Sequence, residues 1–257
     1  MTPIDPRIRQ RRVEVARRRG RRRLTWIAAG GGAAALVGVA LAVLHTPWMS
    51  AQVVTVTGRH PNTPTAAIES AAGLGGHPPL VDVDTGAVAS RVERLPYIAD
   101  AQVHRSWPDG VQIAVTERVP ALEMAGPHAS WSILDAEGRT LGEVPTRAPG
   151  LVQLIVLGST GGVPPAPVGR ALDAAAAAGL TVCRTLPPAF AAQVVAVTES
   201  SNATVSLYLN SGLSVLLGAT DDLGAKYEDV AAIIAHAPLV GATTIDVTVP
   251  QSPTVSS

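Results

Sequence analysis

The sequence predicts an α+β protein: a single transmembrane helix, then a domain ordered β-α-β-α-β-β, then a second β-rich domain with two helices. Three observations lead there. Twenty-one uncharged residues, Leu24–Leu44, directly follow a block of arginines. From Gln52 onward that pattern gives way to short strand and helix signals. Residues 97–121 then alternate apolar and polar positions on both sides of a turn sequence, as a half-buried hairpin does. With 47% hydrophobic and 16% charged residues the chain is too apolar to be wholly disordered. Aromatics are only 3%, so Ala, Val and Leu must fill the cores.

Residues 1–23 hold ten arginines against Asp5 and Glu14, a net of +8, and the rest of the chain carries −8. The arginines are expected to form a cytoplasmic tail. Leu24–Leu44 would extend roughly 31 Å as a helix, which matches the hydrocarbon thickness. The span is set at 24–46, with Trp26 and Trp48 as interfacial anchors. A cleaved signal peptide is the rival, but its apolar run is shorter, and HTPWMSAQ lacks the small-x-small cleavage pattern. The positive-inside rule places the arginine tail in the cytoplasm and everything after Trp48 outside. Nucleic-acid binding is the other use of such a block. Without interleaved aromatics and beside an apolar span, contact with anionic lipid of the inner membrane is the better reading.

The first outer domain is expected over 51–119. Val53–Gly58 is β-branched and alternating, hence a strand. Thr63-Pro64 and Gly73 bracket a helix. Leu80–Asp84 reads as a short extended segment. Val88, Val92 and Leu95 define the inner face of a second helix, which Pro96 ends. Ala101 and Val103, then Val111, Ile113 and Val115, face one side of the hairpin, and Trp107-Pro108-Asp109-Gly110 reads as a type I turn with a bulge.

This order, and the residues V-T-G, P-L-V-D-V-D-T and R-S-W-P-D-G-V-Q-I-A-V-T-E-R-V-P-A, resemble the POTRA domain of the FtsQ/DivIB family of bacterial cell-division proteins. Trp107-Pro108 followed by Glu117-Arg118-x-Pro120 is its most specific part. A β domain is expected over 120–250. Residues 131–142 read as a hairpin containing Asp135 and Gly138, and strands are expected at 151–158, Ala192–Thr198, Thr204–Asn210, Leu213–Leu217 and Thr243–Val249. One helix is run from Gly169 to Leu186 through Gly179, against the alternative of two elements broken there. Another starts at Asp221, with Asp222 four residues before Lys226. The tail, 251–257, is Pro/Ser/Thr-rich and expected to be disordered.

No chemistry-bearing pattern emerges. There is no P-loop, HExxH or G-x-S-x-G, and the six histidines never fall four apart. Cys183 reads as a small buried residue. No catalytic, metal or cofactor site is expected, and no nucleic-acid or small-molecule partner. What the resemblance implies is a non-enzymatic bitopic scaffold of the divisome at the septum. Its implied partners are the small membrane proteins FtsB and FtsL and, through them, the synthase FtsW–FtsI. A membrane-anchored cell-wall enzyme and a POTRA-type secretion component are the alternatives. Two sites follow. Glu117, Arg118 and Pro120, with Trp107 and Pro108, are expected to be structural or interdomain, against direct partner contact at Glu117-Arg118. The strand Thr243, Thr244, Ile245, Asp246, Val247, Thr248 and Val249 is expected to be an open edge that captures a partner strand. Lys226 and Tyr227 would stand beside it as charge pair and aromatic anchor; the competing reading makes the strand interior and Tyr227 core.

Overall fold

The computed structural model describes residues 26, 29–236, 239 and 241–256. Residues 29–44 form a helix, α1, whose large apolar side chains, among them Leu36 and Val39, are exposed. Among the described residues no helix is long and apolar enough to cross a membrane. The arginine tail and residues 24, 25, 27 and 28 of the expected span lie outside them.

The first outer domain contains β1 (Val53–Thr57), α2 (Thr65–Ala72), α3 (Thr85–Val92), β2 (Ile98–Ser106) and β3 (Gly110–Glu117). Its sheet has the order β1-β3-β2, with β1 parallel to β3 and β2 antiparallel to it. Ala101, Val103, Val111, Ile113 and Val115 are buried, so the period-2 alternation gave the inner face correctly. They pack on Ile68 and Ala72 of α2 and Val88 and Val92 of α3. Asp84 caps α3 by accepting from Ala87 N. Two local expectations fail. Leu80–Asp82 is a 3-10 turn, not extended: Leu80 is buried, and the backbone closes on itself through Asp82 N to Pro79 O. The hairpin turn contains a cis Trp107–Pro108 peptide in place of a type I turn.

The second unit is one ten-stranded mixed sheet. Its strands are β4 (Pro120–Ala125), β5 (Trp131–Asp135), β6 (Thr140–Val144), β7 (Val152–Gly158), β8 (Gly161–Gly162), β9 (Val194–Glu199), β10 (Val205–Leu209), β11 (Ser214–Gly218), β12 (Thr244–Asp246) and β13 (Thr254–Ser256). They run in the order β13-β12-β11-β10-β9-β7-β4-β5-β6, with β8 paired to β7. Three helices, α4 (Ala177–Thr185), α5 (Pro188–Ala191) and α6 (Leu223–His236), accompany it. The core of Leu134, Leu154, Val197, Leu207, Val215 and Val230 holds a single aromatic pair, Phe190 with Tyr227.

The helix expected from Gly169 starts only at Ala177, although it does run through Gly179. Residues 169–172 are engaged elsewhere: Thr140 N bonds Arg170 O, Gly169 N bonds Thr140 O, and Leu172 N bonds Gly138 O. A backbone already paired to the β5–β6 hairpin cannot also close helical turns. At Gly179 an added Cβ would lie 2.8 Å from Leu154 Cδ1 and 3.1 Å from Glu199 Oε2. The glycine is therefore there for close helix–sheet approach. Its N–H donates to the buried Glu199 carboxylate at 2.6 Å, which serves the helix start that Ala176 leaves uncapped.

A candidate partner-binding edge

The expected strand Thr243–Val249 is shorter and is not an edge. Only Thr244–Asp246 is strand, and it is interior, parallel to β11 on one side and antiparallel to β13 on the other. Asp246 ends it: its carboxylate accepts from Thr248 N (2.9 Å) and Thr248 Oγ1 (2.7 Å). That is an Asx turn, and Pro250 follows it. The chain folds back, and the tail expected to be disordered returns as β13, with Thr254, Val255 and Ser256 opposite Asp246, Ile245 and Thr244. Ile245 and Val247 are core residues, while Thr243, Thr248 and Val249 are exposed. The sheet edge at this end is β13, all of it exposed.

Lys226 and Tyr227 do not flank that edge as free anchors. Lys226, the only lysine of the chain, is fully buried. Its ammonium donates to Ala219 O at 2.8 Å and to Asp221 Oδ1 at 3.2 Å, fastening the loop after β11 to α6. The expected surface pair with Asp222 is absent, because Asp222 adopts φ 48° and the chain turns there before the helix begins. Hydrogen bonds from its own backbone, then from Lys226, hold the Asp221 carboxyl below its usual range. Tyr227 is buried against Phe190, its hydroxyl 3.0 Å from Thr185 Oγ1. Burial pushes the phenol pKa up, and the Thr185 hydrogen bond opposes this. Tyr227, Phe190 and Ile234 line an apolar groove of about 660 Å³ between α5 and α6.

At the other end of the second unit, Arg118 bridges the two units. Its Nη1 lies 2.9 Å from Asp135 Oδ2, its Nε donates to Ile98 O at 3.2 Å, and its backbone N donates to Tyr97 O at 2.7 Å. Asp135 is almost wholly buried and also accepts from Arg139 N at 2.8 Å. Glu117 faces back into the first unit, accepting from Asn62 N and Thr63 Oγ1 just before α2. Pro120 opens β4. Asp135 was visible in the sequence only as a turn residue; seventeen positions separate it from Arg118, and nothing local marks the pair. Trp107 and Pro108 do not belong to this junction. They sit at the opposite end of the eight-residue β3, about 26 Å away at ~3.3 Å per residue, with the indole half exposed.

Cys183 is partly buried against the core, and burial pushes its thiol up to about 12. A thiol held protonated is a poor nucleophile. The geometry thus defines a two-unit protein whose distinctive surfaces are a bridged junction and an open sheet edge.

Comparison with known proteins gives that class a family. Residues 49–118 match the model "POTRA domain, FtsQ-type", and residues 127–248 match "Cell division protein FtsQ/DivIB, C-terminal". The chain is 34% identical over 221 residues to the cell division protein FtsQ of Streptomyces collinus, covering 85% of this chain and 82% of that protein. It is 34% identical over 240 residues to FtsQ of Mycolicibacterium smegmatis, covering 92% and 66% respectively. With FtsQ of Mycobacterium leprae it shares 30% over 221 residues, and there it spans 59% of the relative's length. The chain belongs to the FtsQ/DivIB family of cell-division proteins.

Proposed function

We propose that the protein is a non-enzymatic, single-span scaffold of the division site, with its arginine tail cytoplasmic and both outer units extracytoplasmic. It joins small partners of the FtsB/FtsL kind to septal wall synthesis by FtsW–FtsI. The charge step at Leu24 and the uncharged stretch after it support the topology. The observation behind the binding mode is the exposed terminal strand β13 (Thr254–Ser256), which ends a ten-stranded sheet. Edge N–H and C=O groups can be satisfied by an added strand, and this edge has no helix laid over it among the described residues. The docking strand is 254–256, not 243–249, with Ile245 and Val247 supporting it from the core. Arg118 with Asp135 serves the junction and not the partner.

The test uses the full-length chain in membranes, with Val255→Pro and a truncation after Pro250. Both are expected to keep the circular dichroism of the parent and to lose capture of an FtsB-like partner. Retained capture by both variants would place docking elsewhere. Depletion should give filaments without septa, and normal septation would remove the division-site reading.

A further inference from the structure

The β2–β3 turn stands where the chain emerges from its anchor. After α1 ends at residue 44, a 3-10 turn at Pro47–Met49 leads directly into the first domain. Gln52 N and Val53 N both donate to Asp109 O, at 2.9 and 3.1 Å. β1 then runs parallel to β3, with Val53 opposite Gly110. Residues 106–110 are therefore fixed beside residues 50–53, six to nine positions after α1. The loop before α3 shares this end: Ser50 bridges Pro79, Ala51 N donates to Pro78 O, and His45 Nε2 lies 3.4 Å from Asp82. The rest of the first domain extends away from it along β3.

Here Trp107 exposes 52% of its surface at the tip of a hairpin, where it closes no core. Trp48, 85% exposed, and Val53, 52% exposed, share the same end. An indole, apolar in body with one N–H donor, is the side chain most suited to the headgroup boundary. Charge does not select this site: His45 faces Asp82, and Arg105 donates to Val83 O between Asp82 and Asp84 in sequence.

We infer that Trp107 is a second membrane contact, seating its indole in the headgroup region of the bilayer that α1 enters, so that the first domain rests on the membrane. This rests on the single-span reading above. The wedge is held by fixed backbone bonds, so it limits the tilt of the outer domains about the short link at 45–50.

The experiment reconstitutes the full chain into phosphatidylcholine vesicles, with or without lipids brominated near the headgroup. The chain carries Trp26→Phe, Trp48→Phe and Trp131→Phe, leaving Trp107 alone. A parallel chain leaves Trp26 alone. Trp107 emission should be blue-shifted and lose intensity to the bromines about as much as Trp26, equally in phosphatidylglycerol vesicles. Trp107 unquenched while Trp26 is quenched overturns this inference and leaves the span intact. Trp26 unquenched overturns the span and the inference together. Quenching of Trp107 confined to phosphatidylglycerol overturns it in favour of simple charge attraction. Trp131 has the Arg147 guanidinium 5.1 Å over its ring, so its replacement could disturb the fold. In that event the single substitution Trp107→Phe in the natural chain decides: quenchable intensity falls relative to the parent, or the inference fails.

Discussion

The two ends of the ten-stranded sheet are built by different means. Where β4 and β5 meet the first unit, the strands have six and five residues and two buried carboxylates hold them. Glu123 takes the Arg147 guanidinium and Ala148 N; Asp135 takes the Arg118 guanidinium and Arg139 N. At the far end β12 and β13 have three residues each, and the buried ion is Lys226, whose carboxylate partner stands in solvent. A carboxylate with several donors is a satisfied group whose loss strands its partners. A buried ammonium facing an exposed carboxylate contributes less. The junction end is over-determined, and the free end is completed by little of its own.

The sharpest way to break this contrast is Asp135→Ala, which leaves Arg118 without its anion and Arg139 N without an acceptor. It should destabilise by about 3 kcal/mol in urea unfolding, as removal of one partner from a buried pair does. A loss comparable to that of a surface charge would equate the two ends. Next, Gly179→Ala probes the middle of the sheet, where the new methyl meets Leu154 and Glu199; overpacking should cost roughly 1–3 kcal/mol. Lys226→Met keeps the volume while removing the buried charge, and should change stability by no more than about 1 kcal/mol in either direction. The smallest shift is expected from removing residues 251–257. Hydrogen exchange should show β12 opening at lower free energy than β4 and β5 even in the intact chain. Cys183 offers an independent probe of the middle: with its thiol at about 12, alkylation at pH 8 should be negligible until α4 opens.

The same contrast separates what was legible in the sequence from what was not. The β2–β3 hairpin is specified by side chains two apart, so alternation alone found its buried face. The strands at 131–144, 152–158 and 205–218 likewise sit within a few residues of their expected places. Lys226 misled because the i, i+4 rule presumes a helix already formed at Asp222, while the left-handed backbone there turns Asp221 towards the ammonium instead. Thr254–Ser256 reads as tail because its composition is polar; only pairing with Ile245 across the Asp246 turn orders it. Residues 243–249 read as an edge for the same reason, since the strand that covers them, β13, has no signature of its own. Trp107 shares a motif with Glu117 and Arg118, but an extended strand carries neighbours in sequence to opposite ends of a domain.

The parallel pairing of β1 with β3 has a mechanical consequence. The chain enters the first domain at the start of β1 and leaves it at the end of β3. Tension applied between the segment before β1 and the second unit therefore pulls two adjacent strands lengthwise in opposite directions. That geometry loads the pairing from Val53–Gly110 to Thr57–Ala114 in shear, all at once, and does not peel it bond by bond. A domain so threaded resists stretching along its own axis far better than across it.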